Sequence, residues 1–177
     1  VHYSNNRIDY TEDASGARTE YSYDPDSGRL AVKTDPMDRT TRYAYNGRGE
    51  LTHLWGDAVH PAKYVYDALG RIVELHQYQE GTGWNSETWP ESTTGLSNVT
   101  RFVYQNVTGL LTEKIYPDNT KTTYTYTAGG RLKTRTWHRG SNTKTTYDYH
   151  PGTGELTGVT YDDGTMTSLS FEYDRLG

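Results

Sequence analysis

The stretch Tyr64-Val65-Tyr66-Asp67-Ala68-Leu69-Gly70-Arg71-Ile72 contains the phrase from which the chain is built. An aromatic residue, any residue and a tyrosine are followed by a short polar gap, a glycine, and usually an arginine with an aliphatic residue. Eight copies of this phrase, with some variation, occur in the 177 residues. The second aromatics of successive copies lie 20, 22, 21, 38, 22, 23 and 24 residues apart. A period near 22 residues indicates a repeat architecture.

The aromatic residues of the six inner copies and the glycines that follow them are the predicted structural residues. The aromatics are Tyr21, Tyr23, Tyr43, Tyr45, Tyr64, Tyr66, Phe102, Tyr104, Tyr124, Tyr126, Tyr147 and Tyr149, and the glycines are Gly28, Gly49, Gly70, Gly109, Gly130 and Gly154. A tyrosine ring buries a large apolar area while its hydroxyl stays available to water or a partner. We therefore expect the tyrosines to stack as aromatic ladders and to act as the core of a half-buried sheet.

The composition excludes several classes of protein. Only 32% of residues are hydrophobic and the mean hydropathy is -0.93, but 17 Tyr, 4 Trp and 2 Phe argue against disorder. The absence of cysteine excludes disulfides and thiolate metal sites. A net charge of -5 disfavours a nucleic acid partner. No apolar run approaches the ~20 residues of a membrane span.

Each copy of the phrase predicts two strands and two turns. Thr41, Tyr43 and Tyr45 alternate with Arg42 and Ala44, which is the period of two of a β-strand. A second strand is predicted after each glycine, for example over 71–75 and 111–115. Consecutive hairpins then form an antiparallel meander of roughly 15 strands, and strand twist is expected to curve so wide a sheet. We predict an all-β fold: tandem hairpin repeats in one long, curved, ribbon-like sheet.

The turns are predicted from their asparagine, aspartate and glycine residues. An Asp or Asn opens the turn after the first strand, and the glycine closes it in the left-handed conformation. In the first copy Asn6 replaces that glycine. Between repeats, Asp118-Asn119 and Asp163-Gly164 predict two-residue hairpins with primed turns. The stretch 35–39 predicts a longer loop with the same role.

The phrase resembles the signature of Rhs or YD-repeat proteins, in which Tyr-Asp is followed by Gly-Arg-Leu. The copies most similar to it are Tyr23-Asp24 with Gly28-Arg29-Leu30, and Tyr66-Asp67 with Gly70-Arg71-Ile72. The resemblance covers essentially the whole chain. The family includes bacterial Rhs polymorphic toxins, the B and C components of insecticidal toxin complexes, wall-associated proteins and teneurins. The resemblance implies a spiral strip of hairpins that forms a hollow shell around a C-terminal toxin, or a large adhesion barrel.

Two departures from the family pattern limit what the resemblance implies. Toxin-releasing family shells end in a segment with an Asp-Pro-x-Gly element and an autoproteolytic aspartate. Neither Asp24-Pro25-Asp26 nor Asp35-Pro36-Met37 matches that element, so no protease residue is assigned. The aspartate of the phrase is replaced in three copies by Gln105, Thr127 and His150. We therefore predict that this aspartate serves the turn and carries no chemistry.

One non-repetitive insertion, at about residues 79–97, explains the 38-residue interval. Insertions into repeats often carry binding residues. Trp84 and Trp89 could stack on sugar rings, whereas the structural alternative has both rings folding back onto the sheet. We expect packing at this site, and also at Trp55 and Trp137, which end the second strands of their repeats.

No pattern predicts catalysis, a metal or a cofactor. The six histidines never occur at ligand spacing, and Asp162-Asp163-Gly164 lacks the alternating carboxylates of a calcium loop. We predict a non-enzymatic scaffold: residues 1–177 form a single array of about eight YD-type units, a fragment of a longer protein. Its expected partners are further repeats of its own shell and an enclosed passenger polypeptide, with edge-to-edge self-association of the fragment.

The alternative function is a cell-surface adhesion module that binds glycan or protein through the aromatic insertion. In either case the expected location is exported, secreted or on the cell surface, as part of a larger bacterial protein.

Overall fold

The chain is all-β, and its fifteen strands are hydrogen-bonded in sequence order in one open antiparallel sheet. The structure is a computed structural model and describes residues 1–79, 87–89, 97–138, 143–162, 164 and 167–174. The strands are β1 (His2–Ser4), β2 (Arg7–Glu12), β3 (Arg18–Tyr23), β4 (Leu30–Thr34), β5 (Thr40–Tyr45), β6 (Leu51–Trp55), β7 (Ala62–Tyr66), β8 (Ile72–Tyr78), β9 (Ser97–Tyr104), β10 (Leu111–Ile115), β11 (Lys121–Tyr126), β12 (Leu132–Trp137), β13 (Lys144–Tyr149), β14 (Leu156–Tyr161) and β15 (Leu169–Ser170). The fold class predicted from the sequence is confirmed.

The chain forms two compact units, Val1–Val99 and Thr100–Gly177. In the first unit each hairpin of the repeat pairs with the next, from β1 through β8. In the second unit the same antiparallel ladder runs from β9 through β15. No helix occurs among the described residues, so none there is long and apolar enough to cross a membrane. Where 71–75 was predicted as a strand, β8 begins at Ile72 and continues to Tyr78.

A β-bulge recurs at the same position of the first seven repeats. In β5 and β6, Ala44 pairs with His53 while Tyr45 pairs with Leu51, which leaves Thr52 as an extra residue on the second strand. The same one-residue shift falls at residues 9, 31, 73, 112, 133 and 157. A bulge bends its strand and increases the local twist. Strand periodicity in the sequence does not reveal these bulges.

The turns within the repeats follow two patterns. Some loops have five residues, such as Asp67–Arg71. In this loop the Asp67 amide donates to the Arg71 carbonyl and the Gly70 amide donates to the Asp67 carbonyl, and Gly70, the fourth residue, has positive φ. Six-residue loops such as Asp24–Arg29 hold the positive φ at their fifth residue, Gly28. Glycine tolerates this left-handed conformation without steric cost. All six of the predicted turn glycines have positive φ.

Of the turns predicted between repeats, the one at Asp118-Asn119 is wrong, whereas the stretch 35–39 forms a turn as predicted. Asp118-Asn119 does not form a two-residue primed turn, because of these two residues only Asn119 has positive φ and its amide bonds to Tyr116 O. The stretch 35–39 is not longer than 116–120: both are five-residue loops with the same hydrogen bonds. A proline in each loop favours this turn, since its fixed φ suits the second position. The predicted Asp163-Gly164 turn includes residue 163, which lies outside the described residues.

The sheet has two chemically different faces in each unit. Strand alternation and register place both tyrosines of each repeat on one face, which we call the tyrosine face; Arg42 and Ala44 mark the opposite face. The twelve repeat aromatics are all half-buried. The side chains with the least exposure are smaller: Thr41, Thr100, Thr122 and Thr145 are buried, as is Ala62. The tyrosine rows therefore do not form the most buried layer, because a single sheet leaves large rings partly in water.

Candidate functional site: contacts between consecutive repeats

A tyrosine hydroxyl connects one repeat to the preceding repeat. The second tyrosine of the phrase donates its hydroxyl to the backbone carbonyl of the aliphatic residue in the preceding copy of Gly-Arg-Leu. The pairs are Tyr23 with Ile8 (3.0 Å), Tyr66 with Leu51 (2.7 Å), Tyr126 with Leu111 (2.7 Å) and Tyr149 with Leu132 (2.8 Å). Burial raises the pKa of the Tyr66 and Tyr126 phenols, so the donating, protonated form is favoured.

The arginine of the phrase makes a second connection to the following repeat. The Arg29 guanidinium lies over the Tyr45 ring, with Cζ 5.9 Å from the centroid, and over Gly49. A Cβ at Gly49 would lie 2.9 Å from Cζ of Arg29, closer than a real Cβ contact allows. The same arrangement joins Arg7 to Tyr23 and Gly28, and Arg131 to Tyr149 and Gly154. The glycine therefore serves both the turn and the guanidinium above it.

This arrangement corrects the predicted aromatic ladder. At these three repeats an arginine of the preceding copy, rather than another tyrosine, lies over the second tyrosine. A guanidinium is attracted to a ring face and stacks on it. Arginine and tyrosine therefore alternate along this part of the sheet. The arginine of Gly-Arg-Leu in one repeat contacts the second tyrosine of Tyr-x-Tyr in the next repeat.

A compensating contact occurs where Glu50 replaces the arginine. Arg48 in the same turn donates to the carbonyl oxygens of Asp67 (2.9 Å) and Ala68 (2.8 Å) in the next turn. Glu50 holds Arg48 in place by an ion pair of 3.0 Å. The two repeats are thus joined by a cation from a different position of the turn.

The aspartate of the phrase accepts hydrogen bonds within its own turn. Asp67 Oδ1 accepts from the amides of Leu69 (2.9 Å) and Arg71 (3.0 Å). These backbone bonds, with the Arg71 side chain, hold the pKa of the Asp67 carboxyl below its ordinary value. Where aspartate is lost, Thr127 Oγ1 accepts from Arg131 N and His150 Nδ1 accepts from Thr153 N. The prediction that this residue serves the turn is confirmed.

Within the insertion the structure describes residues 79, 87–89 and 97. Trp84 lies outside the described residues. The Trp89 ring packs edge-on against His53 (4.5 Å between centroids), Tyr78 (5.4 Å) and Trp55 (6.0 Å). All three partners lie on the opposite face of the sheet. Burial lowers the pKa of His53, and the nearby Lys63 charge adds to this effect. Trp89 is therefore folded onto the sheet, and glycan binding by Trp84 and Trp89 stays a prediction.

Trp55 and Trp137 end strands β6 and β12, but they lie on different faces. Trp55 pairs with Arg42 on the opposite face, whereas Trp137 pairs with Thr122 on the tyrosine face. Both are half-buried. Among the described residues, no group of three or more His, Asp or Glu side chains could hold a metal ion.

The sequence analysis missed the buried position two residues before the first aromatic. Thr122 is 2% exposed and Thr145 is 4% exposed, lower than any tyrosine of the phrase. Threonine recurs there at 19, 41, 100, 122 and 145, with Ala62 in the remaining inner copy. A large ring lies directly across from two of them, since Trp137 pairs with Thr122 and Tyr161 pairs with Thr145. The regular spacing of these threonines was the available signal.

The RHS Repeat family model matches residues 26–54 and 106–137, one stretch in each unit and about a third of the chain. The crystal structure of TcdB2-TccC3 without the hypervariable C-terminal region has the same fold, with a TM-score of 0.59 and 17% identity over 97% of this chain. The crystal structure of TcdB2-TccC3 matches with a TM-score of 0.59 and 16% identity, again over 97% of this chain. This chain spans only 10% and 11% of the length of those two chains. No curated protein sequence matches it.

The two matched stretches contain the Tyr-x-Tyr and Gly-Arg-Leu elements whose contacts connect one repeat to the next. The fold shared with TcdB2-TccC3 extends over nearly all of the described strands. The resemblance found in the sequence is therefore confirmed: two stretches of the chain match the RHS Repeat family model, and the chain shares the fold of TcdB2-TccC3.

Proposed function

We propose that this chain is a non-enzymatic wall segment of a β-shell that encloses a passenger polypeptide. The observation that supports the proposal is the repeated connection between hairpins. The Tyr66 hydroxyl bonds to the Leu51 carbonyl in the first unit, and Tyr126 bonds to Leu111 in the second. Such contacts join each repeat only to its neighbours, so the array can be extended without a separate globular core.

The chemistry of the described residues also supports a structural role. Asp24 and Asp67 have their carboxylates occupied by turn amides: Asp24 accepts from Ser27, and Asp67 from Leu69 and Arg71. The tyrosine hydroxyls are donated to backbone carbonyls. Residues that look polar and chemically active in the sequence are thus used to hold hairpins together. The enclosed passenger, the export of the protein and the shell itself are parts of the proposal.

The test uses the full-length protein that carries this segment. A protease site placed in its passenger region is expected to be cut slowly in the folded wild type. Tyr66→Ala with Tyr126→Ala opens two inter-repeat contacts and is expected to speed that cleavage. Leu69→Ser, at a turn tip that is 75% exposed, is the matched control and leaves the rate unchanged.

A passenger site cut at the same rate in the wild type and in a fully unfolded sample would contradict enclosure. Turnover of a substrate by the purified segment would contradict the non-enzymatic assignment.

A further inference from the structure

Among the described strand residues of the second unit, the tyrosine face carries positive charge and no carboxylate. Lys114 pairs with Phe102 across β9 and β10, and Arg135 pairs with Tyr124 across β11 and β12, so both cations lie on this face. Strands β10 to β14 contain two carboxylates, Glu113 and Asp148, and both lie on the opposite face. The two faces therefore differ in charge although the chain as a whole is acidic.

These two cations contact aromatic rings instead of carboxylates. Lys114 Nζ is 4.9 Å from the Tyr116 ring centroid and 5.9 Å from that of Phe102. Arg135 Cζ is 4.2 Å from the Trp137 ring centroid, and its buried Nε has no hydrogen-bond acceptor within the described part of the chain. A ring face attracts a cation but carries no net charge to neutralise it. Both charges thus stay available to an anion.

Two cations on the opposite face have carboxylate partners. In the second unit Lys121 Nζ is 2.6 Å from Glu113 Oε1. In the first unit, considered by itself, Arg18 pairs with Glu12 at 2.6 Å. No ion pair of Lys114 or Arg135 is formed with any of the described carboxylates. Lys121 thus has a carboxylate partner, whereas Lys114 and Arg135 have aromatic rings.

The spacing of the two cations defines what they can bind together. Lys114 on β10 and Arg135 on β12 are separated by β11. Their partners on β11, Thr122 and Tyr124, are two residues apart along that strand. Strands ~4.8 Å apart with a rise of ~3.4 Å per residue then place the two backbone positions roughly 12 Å from each other. An extended polypeptide covers that distance in about four residues.

We propose that the tyrosine face of the second unit, around Lys114 and Arg135, docks an extended polypeptide that carries acidic side chains about four residues apart. The rings of Phe102, Tyr116, Tyr124 and Trp137 provide the apolar floor between the two charges. The inference deepens the proposed function, since the passenger is the polypeptide that a shell wall meets. Peptide binding can be measured without any passenger. A failure of the peptide to bind would therefore overturn this inference and leave the protease-protection test of the proposed function undecided.

An acidic polypeptide fits this surface better than a nucleic acid does. A nucleic acid strand carries one phosphate about every 3.4 Å and needs a stripe of basic side chains. Two cations roughly 12 Å apart leave the intervening phosphates unneutralised, in a protein with a net charge of -5. Isolated carboxylates on a largely neutral peptide match the arrangement.

The test measures binding of a synthetic Gly/Ser/Tyr peptide with two glutamates about four residues apart to the purified 177-residue chain. The same peptide with glutamines in place of the glutamates is expected to bind roughly tenfold more weakly. The glutamate peptide is expected to bind the Lys114→Gln/Arg135→Gln variant more weakly than the wild type by the same factor. Raising the ionic strength is expected to weaken binding of the glutamate peptide only. Arg135→Lys keeps the charge and should retain most of the affinity, which separates loss of charge from loss of packing.

The matched control is Lys121→Gln/Lys144→Gln, which removes the same charge from the opposite face of the same unit. This control is expected to bind the glutamate peptide like the wild type. Equal loss in both double variants, equal binding of the glutamate and glutamine peptides, or tighter binding of a single-stranded oligonucleotide would each overturn the proposal. Circular dichroism verifies that every variant compared is folded.

Discussion

The Tyr66 hydroxyl donates a 2.7 Å hydrogen bond to the backbone carbonyl of Leu51, fifteen residues earlier in the preceding repeat. Tyr66 also belongs to the strand pair that builds its own hairpin. One side chain thus contributes its ring to one repeat and its hydroxyl to another. This explains why the second aromatic of each inner copy is tyrosine, whereas the first can be Phe102.

Replacing Tyr66 by phenylalanine removes the hydroxyl and keeps the ring. We expect a loss of about 1 kcal/mol in the free energy of unfolding, the usual contribution of one such hydrogen bond. Urea titration of the purified chain gives the value. Tyr3→Phe is the control, because Tyr3 is 63% exposed. Equal losses for the two variants would show that the Leu51 contact contributes nothing.

Gly49 and Gly16 separate backbone conformation from the arginine contact. Both have φ of +85°, but a Cβ at Gly16 meets nothing within 4 Å, whereas a Cβ at Gly49 meets Arg29. Alanine at either position pays the strain of the left-handed region, roughly 1 kcal/mol. Gly49→Ala must also displace Arg29 from Tyr45, so we expect it to cost about 0.5–1 kcal/mol more.

Thermal and urea unfolding of the two alanine variants measure that difference. As a further control, Arg29→Ala should cancel it, since Gly49→Ala in that background has no guanidinium to displace. A difference that persists without Arg29 would assign the extra cost to the turn alone.

The strands and the fold class could be predicted because they depend on local patterns. Thr41, Tyr43 and Tyr45 show the period of two directly, and Gly49 marks the turn that follows. The five-residue turn at 116–120 could not be separated from a two-residue turn in the same way. Asp118-Asn119 is compatible with both, and Pro117 decides between them because its fixed φ suits the second position of the longer loop.

The contacts between repeats could not be predicted because they depend on register. The bulge at Thr52 shifts the pairing by one residue, and strand periodicity alone does not reveal such a shift. That shift places Leu51 opposite Tyr45. The contact of Arg29 with the Tyr45 ring likewise joins residues sixteen positions apart, which strand periodicity does not bring together. The buried threonines, by contrast, were visible in the sequence as a fixed spacing from the tyrosines.

Position along the array should decide the effect of losing a tyrosine. Tyr126 is half-buried and bonded to Leu111, whereas Tyr173 is 45% exposed. We expect Tyr126→Ala to lower the free energy of unfolding by about 2–3 kcal/mol, since it loses ring burial and a hydrogen bond. Tyr173→Ala should change it by less than about 0.5 kcal/mol. Equal shifts in melting temperature would contradict a stability that comes from neighbouring repeats.

Acid should weaken the array through its turn carboxylates. Hydrogen bonds lower the pKa of Asp24, Asp35, Asp67 and Asp118 from the ordinary value of 3.8. A carboxyl with a depressed pKa in the folded state stabilises the protein above its unfolded pKa, and this contribution is lost as the pH falls through the folded value. The free energy of unfolding is therefore expected to decrease below about pH 4.

Urea titrations between neutral pH and the acid range measure this decrease. Asp67→Asn with Asp35→Asn keeps an oxygen acceptor in each turn, as Asn46 does naturally, and should flatten the dependence. Asp26→Asn removes the same kind of charge from a side chain that accepts no hydrogen bond among the described residues, and serves as the control. An unchanged pH profile in the double variant would contradict the role of these turns.

Trp89 should stabilise the first unit by covering His53. Trp89→Ala removes a half-buried ring from Tyr78, Trp55 and His53, so we expect a loss of about 2 kcal/mol in the free energy of unfolding. Since burial lowers the pKa of His53, exposing the imidazole should move that pKa up toward 6.5. Proton NMR titration of the His53 ring follows the second effect. Leu69→Ala removes an exposed side chain and should alter neither quantity. An unchanged His53 pKa in Trp89→Ala would show that other residues of the sheet bury the imidazole.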